Sequence, residues 1–433
     1  MTPSSARAPS VPNGYRIDRA LLGDVEQCLD QYGGAFVSGP YEVGKSELAR
    51  EIARRSHLGA ILLDASDNVD RARIVGPENI LREPPAGLVV IDQLQSCPEA
   101  ADIVRQQIDA AGQSGAAVAK FLLLGSHNLQ VEEIVAARIG TRIARFELAP
   151  IDVSELYPSA PQMGEARLTI PEDVDEAQAI VRPNTAIDLE TLWLRGGFPG
   201  SLFANDEARS FAWRVAYIDR LTYKGYRTIA PQMSASSFRD FLGRLAAGHG
   251  EPFTDKAKGI QQTCIDHLRD LGLVRQLAPW STNMLKRYDK SPKIFLRDSG
   301  LFHTLINRRS IADLRLDGNQ LGHSWEGFCI EALVRAAPQA WPYFYRDDEQ
   351  NEIDLVLDFG EDRRLAIEIK SATAKMSNRF EEAVRMVGAM AAYVVRPVEE
   401  SFTDQNGRRV MTLREMIGVV RQAGSAPPRR TPL

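Results

Sequence analysis

The feature that most constrains this chain is the stretch AFVSGPYEVGKSELAREIARR at residues 35–55. An apolar run leads directly into a loop that matches G-x-x-x-x-G-K-[ST] in full, and an amphipathic segment follows. Glycines in such a loop allow backbone N–H groups to surround an anion, and the next helix adds its positive end. A chance match at an ordinary strand–helix turn is the alternative. The strand–loop–helix order favours a phosphate-binding loop in an α/β sheet.

The loop and two later strand ends supply a predicted nucleotide site. Lys45 is expected to reach the β- and γ-phosphates of ATP, and the Ser46 hydroxyl is expected to bind Mg²⁺. Asp92 ends the apolar run GLVVID and is expected to hold Mg²⁺ through water. Ser126 ends the run KFLLLGS and is expected to sense the γ-phosphate. The predicted ATP- or ADP-binding residues are Gly39, Pro40, Tyr41, Glu42, Val43, Gly44, Lys45, Ser46, Asp92 and Ser126, with Ser46 and Asp92 as metal ligands.

The pattern of hydrophobicity predicts the fold class and the domains. Between residues 35 and 148, continuously apolar runs alternate with amphipathic stretches, which is typical of a parallel α/β sheet. Helical periodicity dominates from about residue 190 to 275, and a mixed α/β pattern follows after 320. The predicted divisions are a flexible tail at 1–20, an ATP-binding domain at 21–155, a linker and helical region at 156–235, a winged-helix-like domain at 236–305, a mixed α/β domain at 306–425 and a tail at 426–433.

The chain resembles the bacterial and archaeal AAA+-type P-loop ATPases that carry a C-terminal domain of unknown function similar to PD-(D/E)xK nucleases. The resemblance covers about residues 20–395 and rests on GPYEVGKS, VVIDQLQ, LLLGS, IGTRIARFELAPIDVSEL, LRGGFPGS, APWSTNMLKRYDKSPKIFLRDSGL, WEGF, NEIDLVL and IEIK. It implies an AAA+-like fold for 21–155 and a restriction-endonuclease-like fold for 306–425. It also implies ATP and Mg²⁺ as cofactors.

Gln93 follows Asp92 at the position where the resembled family usually has a glutamate that polarises the attacking water. A general base contributes about 10²–10⁴ in rate, and a glutamine side chain cannot accept the proton. Its amide can still position water, as a glutamine does in small GTPases. We therefore expect ATP to bind and to be hydrolysed slowly, with Gln93 positioning the water. Glu42 is the alternative base.

The resemblance further implies a homo-oligomer, because AAA+ proteins often complete their active site with an arginine from the adjacent subunit. Arg142, which follows the predicted sensor strand, is the candidate for this catalytic role. Arg138, one helical turn earlier, is the reserve. A structural ion pair is the alternative for either residue.

A second predicted site lies near the C-terminus. Strand alternation in AIEIKS places Glu368 and Lys370 on one face, and a hairpin would bring Asp354 beside them. Two carboxylates can bind Mg²⁺, and the lysine can activate water or stabilise transition-state charge. The resemblance adds Glu326 as a third metal ligand. We expect the nucleotide state of the ATP-binding domain to control how this nuclease-like domain acts on nucleic acid or on a partner protein. Because nuclease folds also persist as inactive binding modules, an active ATP-gated nuclease and a catalytically silent switch are both open alternatives.

Residues 236–298 predict three short helices followed by a basic, strand-prone stretch, which is the order of a winged helix. The stretch at 286–297 carries a basic strip of Lys286, Arg287, Lys290 and Lys293 around Tyr288. Such a strip could contact the phosphate backbone of DNA or RNA without reading sequence. The alternative is a solvated hairpin that packs on the next domain.

Composition limits the remaining function classes. The formal net charge of −5 gives no general case for nucleic-acid binding, so that case depends on local patches. The four cysteines form no CxxC pair, which favours reduced thiols and a cytoplasmic protein. No apolar run approaches the ~20 residues of a membrane span, and the N-terminus lacks the apolar stretch of a secretory signal. We therefore expect no membrane partner.

Overall fold

The computed structural model describes residues 19–77, 79–114, 119–126, 129–157, 187–253, 259–281, 291–371 and 379–425. The chain divides into two compact units. The first unit contains the N-terminal residues to Ile151 with residues 198–200 and 264–273, and the second contains residues 152–197, 201–263 and those from 274 onward. The predicted C-terminal tail and residues 1–18 of the predicted N-terminal tail lie outside the described residues.

The first unit is built on a five-stranded sheet in which every pairing is parallel. Its elements up to residue 147 are α1 (Leu21–Tyr32), β1 (Gly34–Gly39), α2 (Lys45–Arg55), β2 (Ala60–Asp64), α3 (Asn68–Val75), β3 (Leu88–Asp92), α4 (Glu99–Ser114), β4 (Lys120–Ser126), α5 (Leu129–Ile134) and β5 (Ala144–Glu147). The strand order is β2-β3-β4-β1-β5. The parallel α/β sheet predicted for this part of the chain is confirmed.

Burial within this sheet follows the position of each strand. All six residues of β1 are buried, and the inner residues of β3 and β4 are buried as well. The edge strand β2 differs, because one of its faces meets solvent and Leu62 is 44% exposed. The expectation of strands buried on both faces therefore holds in the centre of the sheet and is wrong for both edge strands, since Arg145 and Glu147 of β5 are also exposed.

The rest of the chain forms helices and a second, mixed sheet. Its elements are α6 (Val153–Leu156), α7 (Leu189–Arg195), α8 (Pro199–Leu202), α9 (Glu207–Arg220), α10 (Tyr226–Ile229), α11 (Ala235–Ala247), α12 (Ile260–Asp270), β6 (Val274–Pro279), β7 (Lys293–Leu296), α13 (Ser299–Leu305), α14 (Ile311–Arg315), α15 (Gly318–Ala336), β8 (Trp341–Arg346), β9 (Glu352–Asp358), β10 (Arg364–Ile369), α16 (Phe380–Val387), β11 (Ala391–Val395), β12 (Phe402–Thr403), β13 (Arg409–Met411) and α17 (Leu413–Ser425). The eight strands are ordered β12-β13-β11-β10-β9-β8-β6-β7. This sheet confirms the predicted mixed α/β architecture of the C-terminal part.

The helix spacing read from the sequence corresponds to buried helix faces. In α11 the apolar side chains at positions 238, 241, 242 and 245 are all buried, and Ser234 caps the helix by accepting from the Ser237 N–H. In α12 Cys264 and Leu268 are buried. None of the helices in the described segments is both long and apolar enough to cross a bilayer.

The β6–β7 hairpin lies where the sequence predicts the strands of a winged helix. The hairpin is antiparallel, with Leu277 opposite Lys293. However, β6 also pairs in parallel with β8, so the hairpin continues the C-terminal sheet. Where the sequence predicts three helices between residues 236 and 298, the described part of that segment holds α11 and α12 ahead of β6. The winged helix itself stays a prediction.

Candidate functional site

The loop between β1 and α2 has backbone geometry that two glycines permit. Gly39 ends β1 so close to the next strand connection that a Cβ there would lie 2.3 Å from the Leu148 carbonyl oxygen. Gly44 has φ 103°, a left-handed conformation that favours glycine, and it is the residue from which α2 begins. Glu42 adopts φ 60° without being glycine. The loop thus leads from the end of β1 to the N-terminal end of α2, which is where an anion is stabilised by free N–H groups and the helix dipole.

Lys45 is held inside this loop. Its Nζ donates to the carbonyl oxygens of Gly39 at 2.9 Å and Pro40 at 2.8 Å, and the side chain is buried. Burial lowers the pKa of Lys45 to about 8, although the nearby Asp92 carboxylate opposes that change. A desolvated ammonium next to a helix N-terminus gains strongly from a phosphate charge, because little water screens the attraction.

Ser46, Asp92 and Ser126 all lie at the carboxyl edge of the sheet. The Ser46 hydroxyl donates to Asp92 Oδ2 at 2.5 Å. Ser126 is the Cα partner of Gly39 across the β1–β4 pairing, so it stands beside the start of the loop. The structure thus brings together the two predicted Mg²⁺ ligands and the predicted phosphate sensor, which come from three separate parts of the chain.

Gln93 has a constrained position directly after β3. Its backbone is left-handed, with φ 56°, and its N–H donates to Asp92 Oδ1 at 2.8 Å. Its side-chain Oε1 accepts from Gln95 Nε2 at 2.5 Å. The only acceptor atom of the Gln93 side chain is therefore already engaged by Gln95. Sequence reasoning did not identify Gln95, because no motif marks a residue three positions after the strand end.

Arg19 is a second residue that sequence reasoning missed. It donates to the Val43 carbonyl oxygen at 3.1 Å and to the Ala149 carbonyl oxygen at 2.5 Å. These bonds tie the phosphate loop to the end of the sheet next to β5. Residue 19 falls in the predicted tail, where the sequence gives no sign of a fixed contact.

Arg138 and Arg142 are both engaged within their own chain. Arg142 Nε donates to Asp109 at 2.5 Å, and Arg138 forms an ion pair with Asp102. Both acids belong to α4, and all four side chains are partly exposed. A role towards a neighbouring subunit, which stays a prediction, would require these exposed pairs to open.

The predicted C-terminal residues also come together. Because β9 and β10 are antiparallel neighbours, Asp354 lies beside the end of β10. Asp354 Oδ2 accepts from the Ile369 N–H at 2.8 Å and from Lys370 Nζ at 3.3 Å. The same Nζ lies 2.8 Å from Glu368 Oε1. One ammonium group thus bridges two carboxylates that neighbouring strands supply.

Glu368 is the most deeply placed acid of this site. It is 2% exposed, and its Oε2 atom has no hydrogen-bond partner in the described part of the chain. Burial and, to a smaller extent, the Asp354 carboxylate raise the pKa of Glu368 to about 8, while Lys370 opposes this change. Burial alone would lower the pKa of Lys370, but the two acids raise it above its usual value. The site contains an oxygen atom that lacks a cationic partner.

Glu326 on α15 contacts a different lysine. Lys293 Nζ lies 3.1 Å from Glu326 Oε1 and 2.9 Å from Glu352 Oε1. Burial raises the pKa of Glu326 to about 7, a change that Lys293 opposes and Asp354 reinforces. We call Glu326, Glu352, Asp354 and Glu368 the acidic cluster.

The position of Lys293 corrects one sequence-based expectation. The sequence places this lysine on an exposed basic strip, whereas the structure buries it in β7 with its ammonium against carboxylates. It is therefore unavailable to a phosphate backbone. Lys286, Arg287, Tyr288 and Lys290 of the same strip lie outside the described residues, so their predicted contact with DNA or RNA stays a prediction.

Two carboxylates of the acidic cluster, rather than three, are placed to bind a cation. Across the described ranges, no set of three or more His, Cys, Asp and Glu side chains is arranged to hold a metal ion. Asp354 and Glu368 remain suited to a hard cation, because carboxylate oxygens are its preferred ligands and water can complete the coordination. The partnerless Glu368 Oε2 is the atom that such a cation would satisfy.

Comparison with known proteins places the N-terminal geometry in a family. Residues 33–157 match the family described as an AAA domain. Residues 186–312 and 321–416 match two domains of unknown function, DUF8612 and DUF4143. Two relatives described as uncharacterized proteins, one from Mycobacterium bovis and one from Mycobacterium tuberculosis, are each 29% identical over 395 residues, which is 89% of this chain and 81% of each relative.

Two solved structures are similar to this chain at low sequence identity. A Walker-type ATPase of Pyrococcus abyssi is 13% identical with a TM-score of 0.43, over 69% of this chain and 98% of that one. The Aeropyrum pernix ORC1 protein in complex with DNA is 14% identical with a TM-score of 0.28, over 70% of this chain and 96% of that one. The AAA-domain match and the strand–loop–helix geometry around Lys45 together show that the N-terminal part of the chain is an AAA-type P-loop ATPase domain.

Proposed function

We propose that this protein binds ATP with Mg²⁺ and hydrolyses the nucleotide slowly. The observation that carries the proposal is the position of Gln93. It directly follows Asp92, one of the predicted Mg²⁺ ligands, and its Oε1 already accepts a hydrogen bond from Gln95. Lys45 and the loop N–H groups would hold the phosphates, while Ser46 and Asp92 would hold Mg²⁺ directly and through water.

The slow rate follows from the chemistry of the glutamine amide. Hydrolysis needs a group that accepts a proton from the attacking water, and a positioned base contributes about 10²–10⁴ in rate. Gln93 can orient water through its N–H groups, but it has no basic atom to offer. Binding should therefore be retained and turnover reduced, which suits a nucleotide-dependent switch better than a fast motor.

The test is Gln93→Glu, which restores a base at the position that Gln95 already orients. We expect phosphate release to increase at least about tenfold, the low end of what a general base supplies, with ATP affinity unchanged. Gln95→Glu is the matched control, because it adds the same charge two residues away and should give no gain. Lys45→Ala should abolish ATP binding in calorimetry. Equal turnover of wild type and Gln93→Glu would refute the assignment and point to Glu42.

We also propose that the acidic cluster binds one divalent cation and acts on phosphodiester bonds of nucleic acid. The supporting observation is the buried, partnerless Oε2 of Glu368 beside Asp354 and Lys370. The cation would supply a Lewis acid and an activated water when bound. Asp354 and Glu368 would hold it, and Lys370 would stabilise negative charge that develops on the phosphate.

Nucleotide occupancy of the ATPase domain is proposed to control this C-terminal site. The test is plasmid nicking with Mn²⁺ by wild type, Asp354→Ala and Lys45→Ala, each with and without ATP. A controlled nuclease should nick DNA in wild type, lose nicking in Asp354→Ala and lose its response to ATP in Lys45→Ala. Mn²⁺ binding without any nicking would support the alternative of a catalytically silent switch. Nicking that never responds to ATP would contradict the control.

A further inference from the structure

Lys293 has surroundings unlike those of an ordinary lysine. It lies on β7, its side chain is 4% exposed, and its ammonium contacts one carboxylate from α15 and another from β9. The ring of Phe344 lies 5.4 Å from the same Nζ atom. An ammonium group removed from water in this way is retained only when nearby negative charge compensates it, and here two carboxylates do so.

The acidic cluster contains two carboxylate pairs, and a lysine stands between the members of each. Lys370 bridges Asp354 and Glu368, and Lys293 bridges the other two acids. Carboxylate oxygens are also the preferred ligands of hard divalent cations, and some sites hold two such cations about 3.5–4 Å apart. With every group ionised, four acids and two lysines leave a net charge of −2, which one divalent cation neutralises.

The two lysines differ in how freely their ammonium groups can move away from the carboxylates. Lys370 follows the last residue of β10 and its side chain is 22% exposed, so it can turn aside as a cation approaches. Lys293 belongs to a strand in which all four residues are buried, and its backbone is paired with Leu277. We therefore expect the ammonium of Lys293 to stay in place when a metal ion binds, and that of Lys370 to move aside.

We propose that Lys293 is a positioning residue whose ammonium group takes the place of a second metal ion. It occupies one of the two potential cation-binding sites of the acidic cluster. The cluster therefore binds a single divalent metal ion, at Asp354 and Glu368. This inference rests on the proposed C-terminal metal site and adds its stoichiometry. It also accounts for Glu326, which lies in the cluster as a partner of Lys293 rather than as a metal ligand.

The experiment counts Mn²⁺ bound to the full-length chain without nucleotide, from the electron paramagnetic resonance signal of free Mn²⁺. Asp354→Ala measures binding elsewhere, and that background is subtracted. Wild type should bind one Mn²⁺ in the cluster. Lys293→Met, which keeps an unbranched apolar stem and removes the charge, should bind two, with the spectrum of a spin-coupled pair. Lys293→Arg keeps the charge and should still bind one.

Each other outcome overturns the inference in a distinguishable way. No difference between wild type and Asp354→Ala would refute the proposed metal site, and the inference would fall with it. One Mn²⁺ in folded Lys293→Met would refute the role of Lys293 alone. If Lys293→Met does not fold, the test uses a triple variant that combines Lys293→Met with Glu326→Gln and Glu352→Gln. This variant removes the lysine together with both of its acids, so no buried charge is left uncompensated. It should bind one Mn²⁺ with unchanged affinity, and loss of that ion would show that a replaced acid is a ligand.

Discussion

Two buried lysines show how local charge decides the behaviour of one residue type. Lys45 has a single acid nearby, so burial dominates and lowers its pKa to about 8. Lys293 is also buried, but Glu326, Asp354 and Glu352 outweigh burial and raise its pKa above the usual value. The first ammonium is only partly compensated, by Asp92, and is suited to an incoming anion. The second is fully compensated and is suited to a fixed structural charge.

The raised pKa of Glu368 gives a pH-dependent prediction. A carboxyl group with a pKa of about 8 holds its proton at neutral pH, and a metal ion must displace that proton to bind. Mn²⁺ affinity of the cluster should therefore rise with pH, by up to about tenfold per unit below pH 8, and level off above it.

Calorimetric titration of the full-length chain between pH 6 and 9 measures this dependence. Asp354→Ala is the control, since the cluster signal should be absent at every pH. Affinity that stays constant between pH 6 and 8 would show that Glu368 is not the group that loses a proton when the metal binds.

At the scale of elements, both sites lie where strands end. In the first unit, the ends of β1, β3 and β4 bring the loop, Asp92 and Ser126 to one edge because neighbouring strands run parallel. In the second sheet, β9 and β10 run antiparallel, so the start of one and the end of the other meet. Regular sheet geometry therefore gathers residues that are far apart in the chain, and the loops add the side chains that bind.

The π-helical turn at Val135–Ile139 and the residues after it carry the two candidate arginines. Both side chains fold back onto α4, where Asp102 and Asp109 compensate their charges. Exposed ion pairs of this kind contribute about 0–1 kcal/mol, so they hold the arginines only weakly. An adjacent subunit that offers a phosphate could compete for them.

At the scale of the whole molecule, the trans arginine can be tested by mixing variants in the more active Gln93→Glu background. Arg142→Ala keeps an intact phosphate loop, and Lys45→Ala keeps an intact arginine. If Arg142 acts on the neighbouring subunit, an equimolar mixture should hydrolyse ATP at least about tenfold faster than either variant alone, since arginine fingers contribute about 10³–10⁵ in rate.

The same mixture made with Arg138→Ala in place of Arg142→Ala distinguishes the two candidates. Light scattering with ATP present should detect an assembly larger than a monomer. A monomer at high concentration, or a mixture no faster than its components, would remove the trans role.

The sequence alone determined the features that depend on neighbours along the chain. The phosphate loop is one continuous segment whose glycines, lysine and serine act through local backbone geometry, so its pattern predicts its shape. Continuous apolar runs predict buried parallel strands, and alternation predicts that Glu368 and Lys370 share a face. The identity of Gln93 likewise predicts weak proton acceptance from chemistry alone.

Tertiary structure decided whatever depends on distant partners. The sequence shows Lys293 as one cation in a basic strip, and only the pairing of β7 with β6 and the position of α15 turn it towards Glu326 and Glu352. The sequence predicts that Arg19 belongs to a flexible tail, and only the fold shows its hydrogen bonds to the carbonyl oxygens of Val43 and Ala149. Local pattern cannot report such contacts, because the sign and number of the charges around a buried group depend on residues that only the fold brings near.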